Sequence, residues 1–192
     1  ETFLEPLLQN AGGSAKLVSV SEGIDLMKLD EQHQDETGTE EHGEFDPHVW
    51  LDPRNVMVWV ENITKALSEE DPAHAKEYQA NADQYIQALE QLDAKIEGIV
   101  AEIPQERRLL VTDHHEFGYF ARRYGFVVID SIIPGFSTLS SPSAQELAAL
   151  VDQIKQANAP AIFVGVTTNP NFAEQISRDT GVKLVYVYTG AL

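Results

Sequence analysis

Apolar positions in the first half of the chain recur at helical spacing. Those of the second half fall into short runs separated by helical stretches. Phe3, Leu4, Leu7 and Leu8 give a short amphipathic helix, and residues 16–20 follow as a strand-like run. Val56, Trp59, Val60, Ile63 and Leu67 mark the next helix. It opens at Asp52 and Pro53, a capping carboxylate followed by a ring that pre-sets the first helical φ. Glu69, Glu70, Asp71 and Pro72 end it. Tyr78, Ala82, Tyr85, Leu89, Leu92, Ile96, Ile99 and Ile103 then form one seam over residues 72–103. That seam predicts a single helix of roughly 30 residues, about 45 Å long. Such a helix outruns a small core. Its single seam, with Ala82 and two tyrosines, predicts a rigid strut between two bodies rather than a coiled-coil arm.

After Pro104 the pattern alternates. Strands are predicted at 108–112, 126–130, 161–164 and 182–188. Between them lie helices at 117–124, closed by Gly125, at 147–157, opened by the capping box Ser143-Ala144-Gln145-Glu146, and from Asn169-Pro170 to Gly181. Alternation of this length predicts a parallel sheet with helices on both faces. In such a sheet ligands sit beyond the carboxyl ends of the strands. Those ends read Thr112-Asp113-His114-His115-Glu116, Gly165-Val166-Thr167-Thr168 and Tyr188-Thr189-Gly190.

Charge and composition then exclude several functions. The 192 residues hold 13 Lys and Arg against 31 Asp and Glu, a net charge of −18. A nucleic-acid binder or a polybasic membrane anchor needs the opposite balance. Cysteine is absent, which excludes disulfides, thiolate catalysis and cysteine-based zinc sites. No apolar run is long enough for a transmembrane helix. Glu1 reads as a processed or trimmed start. Residues 30–46 carry eight acids with His33 and His42 and no Lys or Arg, a composition that predicts a mobile loop.

His114 stands at a strand-to-helix turn, and His48 in a second turn before a helix. Two imidazoles on separate loops suit a borderline metal ion such as zinc. His48 alone reads equally well as a cap or a partly buried polar group, and His115 as part of a solvated turn. Neither a nucleophile elbow nor an H-E-x-x-H helix is present. A metal-dependent hydrolase therefore stays as an alternative without a motif, with Glu116 as the one nearby candidate base.

The segments Glu1 to Glu5, Asp46-Pro47-His48-Val49-Trp50-Leu51-Asp52-Pro53, Val111 to His114 with Gly118 to Gly125, and Pro142-Ser143 through Asn169-Pro170 carry a likeness. The chain resembles the solute-binding proteins of zinc and manganese ABC importers, the ZnuA/TroA-like family. The resemblance implies an α/β protein of two lobes, each with a parallel sheet and flanking helices, joined by one long backbone helix. It divides the chain into an N-terminal lobe at 1–71, a linking helix at 72–103 and a C-terminal lobe at 104–192. The start of the first lobe and the end of the second are expected to be missing. His48 and His114 fall on two of the family's ligand positions; His115 and Glu116 do not. The family's first ligand histidine lies upstream of Glu1, and two further ligand positions fall on Gly165 and Gly190.

The implied function is high-affinity binding of zinc and its delivery to an ABC permease in the membrane, with no reaction catalysed. Zinc is favoured over manganese, because the chain keeps imidazoles where the harder ion wants carboxylates. The resemblance further implies a monomer, exported to the periplasm or lipid-anchored on the outer face of the cytoplasmic membrane. A metal-binding adhesin is the third reading. The loop with His33 and His42 is expected either to gather zinc or to serve as a solvated linker.

Overall fold

A computed structural model describes residues 4–10, 15–28, 45–134 and 141–189. Along them run α1 (Leu4–Asn10), α2 (Pro53–Glu70), α3 (Ala75–Ala101), β1 (Leu109–Thr112), α4 (Gly118–Tyr124), β2 (Val127–Ser131), α5 (Ala144–Ala157), β3 (Ala161–Gly165), α6 (Asn171–Thr180) and β4 (Lys183–Val187). Phe3, His33, His42 and Gly190 lie outside the described residues.

The second half folds as its alternation requires. All three strand pairings are parallel, in the order β2-β1-β3-β4. The middle strands are the apolar ones: Val111, Ile162 and Val164 are fully buried, and Leu150 and Ile154 of α5 and Ile176 of α6 pack into the same core. Helix boundaries follow their local signals. Ser143 Oγ accepts from the Glu146 N–H while the Glu146 carboxylate accepts from the Ser143 N–H, completing the capping box. Asp52 Oδ1 accepts from the Arg54 N–H at 2.9 Å and caps α2.

The first half departs from expectation in four ways. Residues 16–20 form no strand. A strand needs a neighbour to complete its hydrogen bonds, and this segment lies along α2 instead. There the Asn62 side-chain amide donates to the Val20 and Glu22 carbonyls, and Trp59 Nε1 donates to Ser21 Oγ. Before residue 72 the described residues contain only an isolated antiparallel bridge, Lys28 to Phe45, and the one sheet lies after residue 108.

The expected helix 72–103 begins with a 3-10 turn, Pro72–His74, and continues as the 27 residues of α3, about 40 Å long. Its seam is also rotated. Ala82, Leu89 and Val100 are buried, whereas Tyr85, Leu92 and Ile99 are exposed, and Asp93 takes the inward position beside Leu92. The cause is a polar clasp. Arg54 of α2 and Arg123 of α4 donate to Asp93 Oδ2 at 3.1 and 2.6 Å, and the Tyr124 hydroxyl donates to Oδ1 at 2.9 Å. Burial raises the Asp93 pKa, but these three donors overcome it and hold the carboxyl below its ordinary value. The clasp thus ties α2, α3 and α4 together.

Candidate metal centre

β1 is flanked by β2 on one side and β3 on the other, so the connections leaving β1 and β3 turn away from each other. A crevice opens at such a point beyond the strand ends. β1 runs straight into Asp113 and His114 there, and the Thr112 hydroxyl donates to the His114 carbonyl at 2.8 Å. From the other direction His48 arrives on the turn before α2.

The two imidazoles meet. Their ring centroids are 5.2 Å apart at an interplanar angle of 66°, and both side chains are buried. Each ring is held from behind by a carboxylate close in sequence. Asp46 Oδ1 accepts from the His48 backbone N–H at 2.9 Å and faces His48 Nδ1 at 2.8 Å. Asp113 Oδ1 accepts from the His114 backbone N–H at 2.9 Å and faces His114 Nδ1 at 2.9 Å. A carboxylate on Nδ1 is the usual outer support of a metal-bound histidine, fixing the ring's orientation. Beyond His48 the Trp50 ring packs edge-on at 5.4 Å, and Trp50 Nε1 donates to the Thr189 carbonyl past the end of β4.

The acids of the crevice divide in their titration. Burial pushes the Asp113 carboxyl up, but donation from His114, Thr168 and the Gly165 N–H prevails and brings it to about 2. Burial of His114 works against its proton, yet the Asp113 hydrogen bond and the charges of Glu116, Asp113 and Asp46 raise its pKa. Glu116 is pushed up to about 7, first by burial and then by the Asp113 anion, against the pull of His114. One ligand atom from each of Asp113, His114 and Glu116 lies within 4.8 Å of the others.

Of the residues singled out from sequence, His48 and His114 are brought together. His115 does not sit in a solvated turn: its side chain is 13% exposed and its Nε2 lies 3.9 Å from Asp130 Oδ1. Asp46 and Asp113 were missed as ring supports, although the acid one or two positions before each histidine was the signal. Glycines make room for both. A Cβ on Gly118 would meet Asp46 Oδ2 at 2.8 Å, and one on Gly165 would crowd Asp113 Oδ2 at 3.2 Å.

A family model described as "Zinc-uptake complex component A periplasmic" matches residues 1–191. The chain belongs to this family. The match spans both histidine segments, and the parallel sheet with its flanking helices is shared with solved ZnuA and TroA structures. The manganese-binding lipoprotein MntA of Halalkalibacterium halodurans is 35% identical over 193 residues, covering 100% of this chain and 60% of the relative. The chain therefore spans about 60% of the length of that curated protein. Among solved structures, the periplasmic zinc-binding protein TroA of Treponema pallidum superposes with a TM-score of 0.83 at 31% identity, over 100% of this chain and 68% of that one. The laminin-binding protein Lmb of Streptococcus agalactiae, described as bifunctional with adhesin and metal-transporting activity, gives 0.76 at 27% identity, over 89% and 60%. These three are named as binding proteins, which leaves the hydrolase alternative without support.

Proposed function

We propose that this chain takes up one divalent transition-metal ion between His48 and His114, zinc in preference to manganese, and delivers it to an ABC permease. It does so as a monomer on the outer side of the cytoplasmic membrane, periplasmic or lipid-anchored. The reading divides the molecule into lobes at 1–71 and 104–192 joined by the helix region 72–103. The stiff α3 then allows small lobe movements rather than a wide hinge. What supports it is the pair of buried imidazoles 5.2 Å apart, each with a carboxylate on its Nδ1. Two imidazoles favour zinc over a harder ion.

The test is calorimetric titration of the intact protein with Zn2+. His48→Ala and His114→Ala each weaken binding by about 100-fold or more, beyond what loss of an outer support costs. Wild-type zinc affinity in either variant would end this reading. A second reading, adhesion, draws on the likeness to Lmb. Cell binding by the metal-free protein, unchanged in the two histidine variants, favours it; loss of that binding removes it.

A further inference from the structure

Three carboxylates stand beside the two imidazoles, and two of them have their work assigned. Asp113 uses both oxygens, Oδ1 on the N–H and ring of His114 and Oδ2 on the Gly165 N–H at 3.0 Å. Asp46 Oδ1 holds the N–H and ring of His48. Glu116 is different. It is 2% exposed, yet its Oε1 meets no hydrogen-bond partner among the described residues. A buried carboxylate oxygen left bare is costly, so such an atom calls for a partner that the protein binds. Its Oε2 stands 3.8 Å from His114 Nε2. That separation is too long for a hydrogen bond. It is close to the edge of a coordination tetrahedron, about 3.3 Å for metal–donor bonds near 2.0 Å. Gly165, at the end of β3, brings no donor side chain of its own, and Asp113, Thr168 and Thr189 oxygens each lie 3.2 Å from where its Cβ would be.

We propose that Glu116 is a further protein ligand of the ion that His48 and His114 hold, an inference that rests on the two-histidine reading. Its carboxylate gives the ion an anionic donor beside the two imidazoles. An oxygen donor also suits manganese better than a third imidazole would. Glu116 is then the residue that sets the balance between the two metals.

The experiment titrates the intact protein with Zn2+ alone and Mn2+ alone, comparing Glu116→Gln and Glu116→His with His48→Ala and His114→Ala. Glu116→Gln is expected to weaken zinc binding more than about tenfold and manganese binding further. Glu116→His is expected to recover zinc binding but not manganese binding, a rescue that a purely structural carboxylate would not give. The metal-free Glu116→Gln protein should unfold near the wild-type temperature, because the amide keeps the shape of the side chain and an oxygen for its Thr189 contact. Wild-type zinc affinity in Glu116→Gln, while both alanine variants lose zinc, would overturn the Glu116 assignment alone. So would a Glu116→His variant no better than Glu116→Gln. Zinc retained by His48→Ala or His114→Ala would overturn the parent reading, and this one with it.

Discussion

His48 and His114 are mounted by the same device on unlike supports. Behind His114 stands Asp113, the residue that follows β1, and its second oxygen accepts from Gly165 at the end of the neighbouring β3. The mount is an extension of the sheet, and the two central strands set it. Behind His48 stands Asp46, on irregular chain with no strand beneath it. Asp46 is held by a backbone bond to Met27 at 2.8 Å and by the Tyr119 hydroxyl, which donates to its carbonyl at 3.1 Å and accepts from the Met27 N–H. Its carboxylate lies directly over Gly118. Thus Gly118 and Tyr119, neighbours of His114 in sequence, serve His48 in space. One imidazole is positioned by the sheet, and the other by the helix that follows the first.

The sharpest way to break this comparison is to remove each supporting charge while keeping its shape. Asp113→Asn is expected to lower zinc affinity by about 100-fold and Asp46→Asn by about tenfold, both within the range of outer supports. The asymmetry follows because Asp113 anchors three donors and lies at the end of the sheet. Equal losses, measured by calorimetry, would mean that the sheet contributes nothing special.

Acid unfolding sharpens the same point. The Asp113 carboxyl is lowered from 3.8 to about 2 in the folded chain. Its contribution is therefore present above pH 3.8 and is lost as the pH falls towards 2, an effect of about 2 kcal/mol by linkage. Denaturant unfolding of the metal-free protein across that window should show this loss in the wild type. In Asp113→Asn that part of the slope should be absent.

Next in size come changes that strike the His48 mount alone. A Cβ on Gly118 would stand 2.8 Å from Asp46 Oδ2, so Gly118→Ala must displace the carboxylate, a strain of about 1–3 kcal/mol. Tyr119→Phe removes one buried hydroxyl with its two hydrogen bonds, about 1–3 kcal/mol. Both should weaken zinc binding without touching the ion. Each should add little to Asp46→Asn and a full increment to Asp113→Asn, since the first pair shares a contact. Full additivity with Asp46→Asn would separate Tyr119 from the His48 mount.

Much of this was legible in the sequence where the signal is local. The capping box at Ser143 and Glu146 and the Asp52-Pro53 start declare their helices, because caps are read from neighbouring residues. His48 and His114 could be singled out because each sits at a turn entering a helix. What stayed hidden depends on distant chain. Asp93 sits mid-helix as a charge that periodicity turns to solvent, and only Arg54, Arg123 and Tyr124 from two other helices make its burial tolerable. Glu116 reads as part of a polar turn, and it is buried in the fold, where Thr189, past the end of β4 and distant in sequence, bonds its carboxyl. Residues 16–20 have the composition of a strand but lie on the side of α2, where Asn62 satisfies the backbone.

The smallest effect expected concerns the joint between the two mounts. Trp50 extends the His48 turn across the crevice and donates its indole N–H to the Thr189 carbonyl at 3.0 Å, beside the end of β4. The side chain is 39% exposed, so water replaces this bond readily. Trp50→Phe keeps the edge contact with His48 and deletes only the donor, a change of under about 1 kcal/mol in unfolding free energy. Its informative readout is zinc dissociation in stopped flow. If the indole bond holds the His48 turn against the sheet-mounted half, dissociation quickens several-fold while the metal-free stability barely moves. An unchanged rate would leave the Asp93 clasp and the Tyr119–Asp46 contact as the bonds that keep the two imidazoles in register.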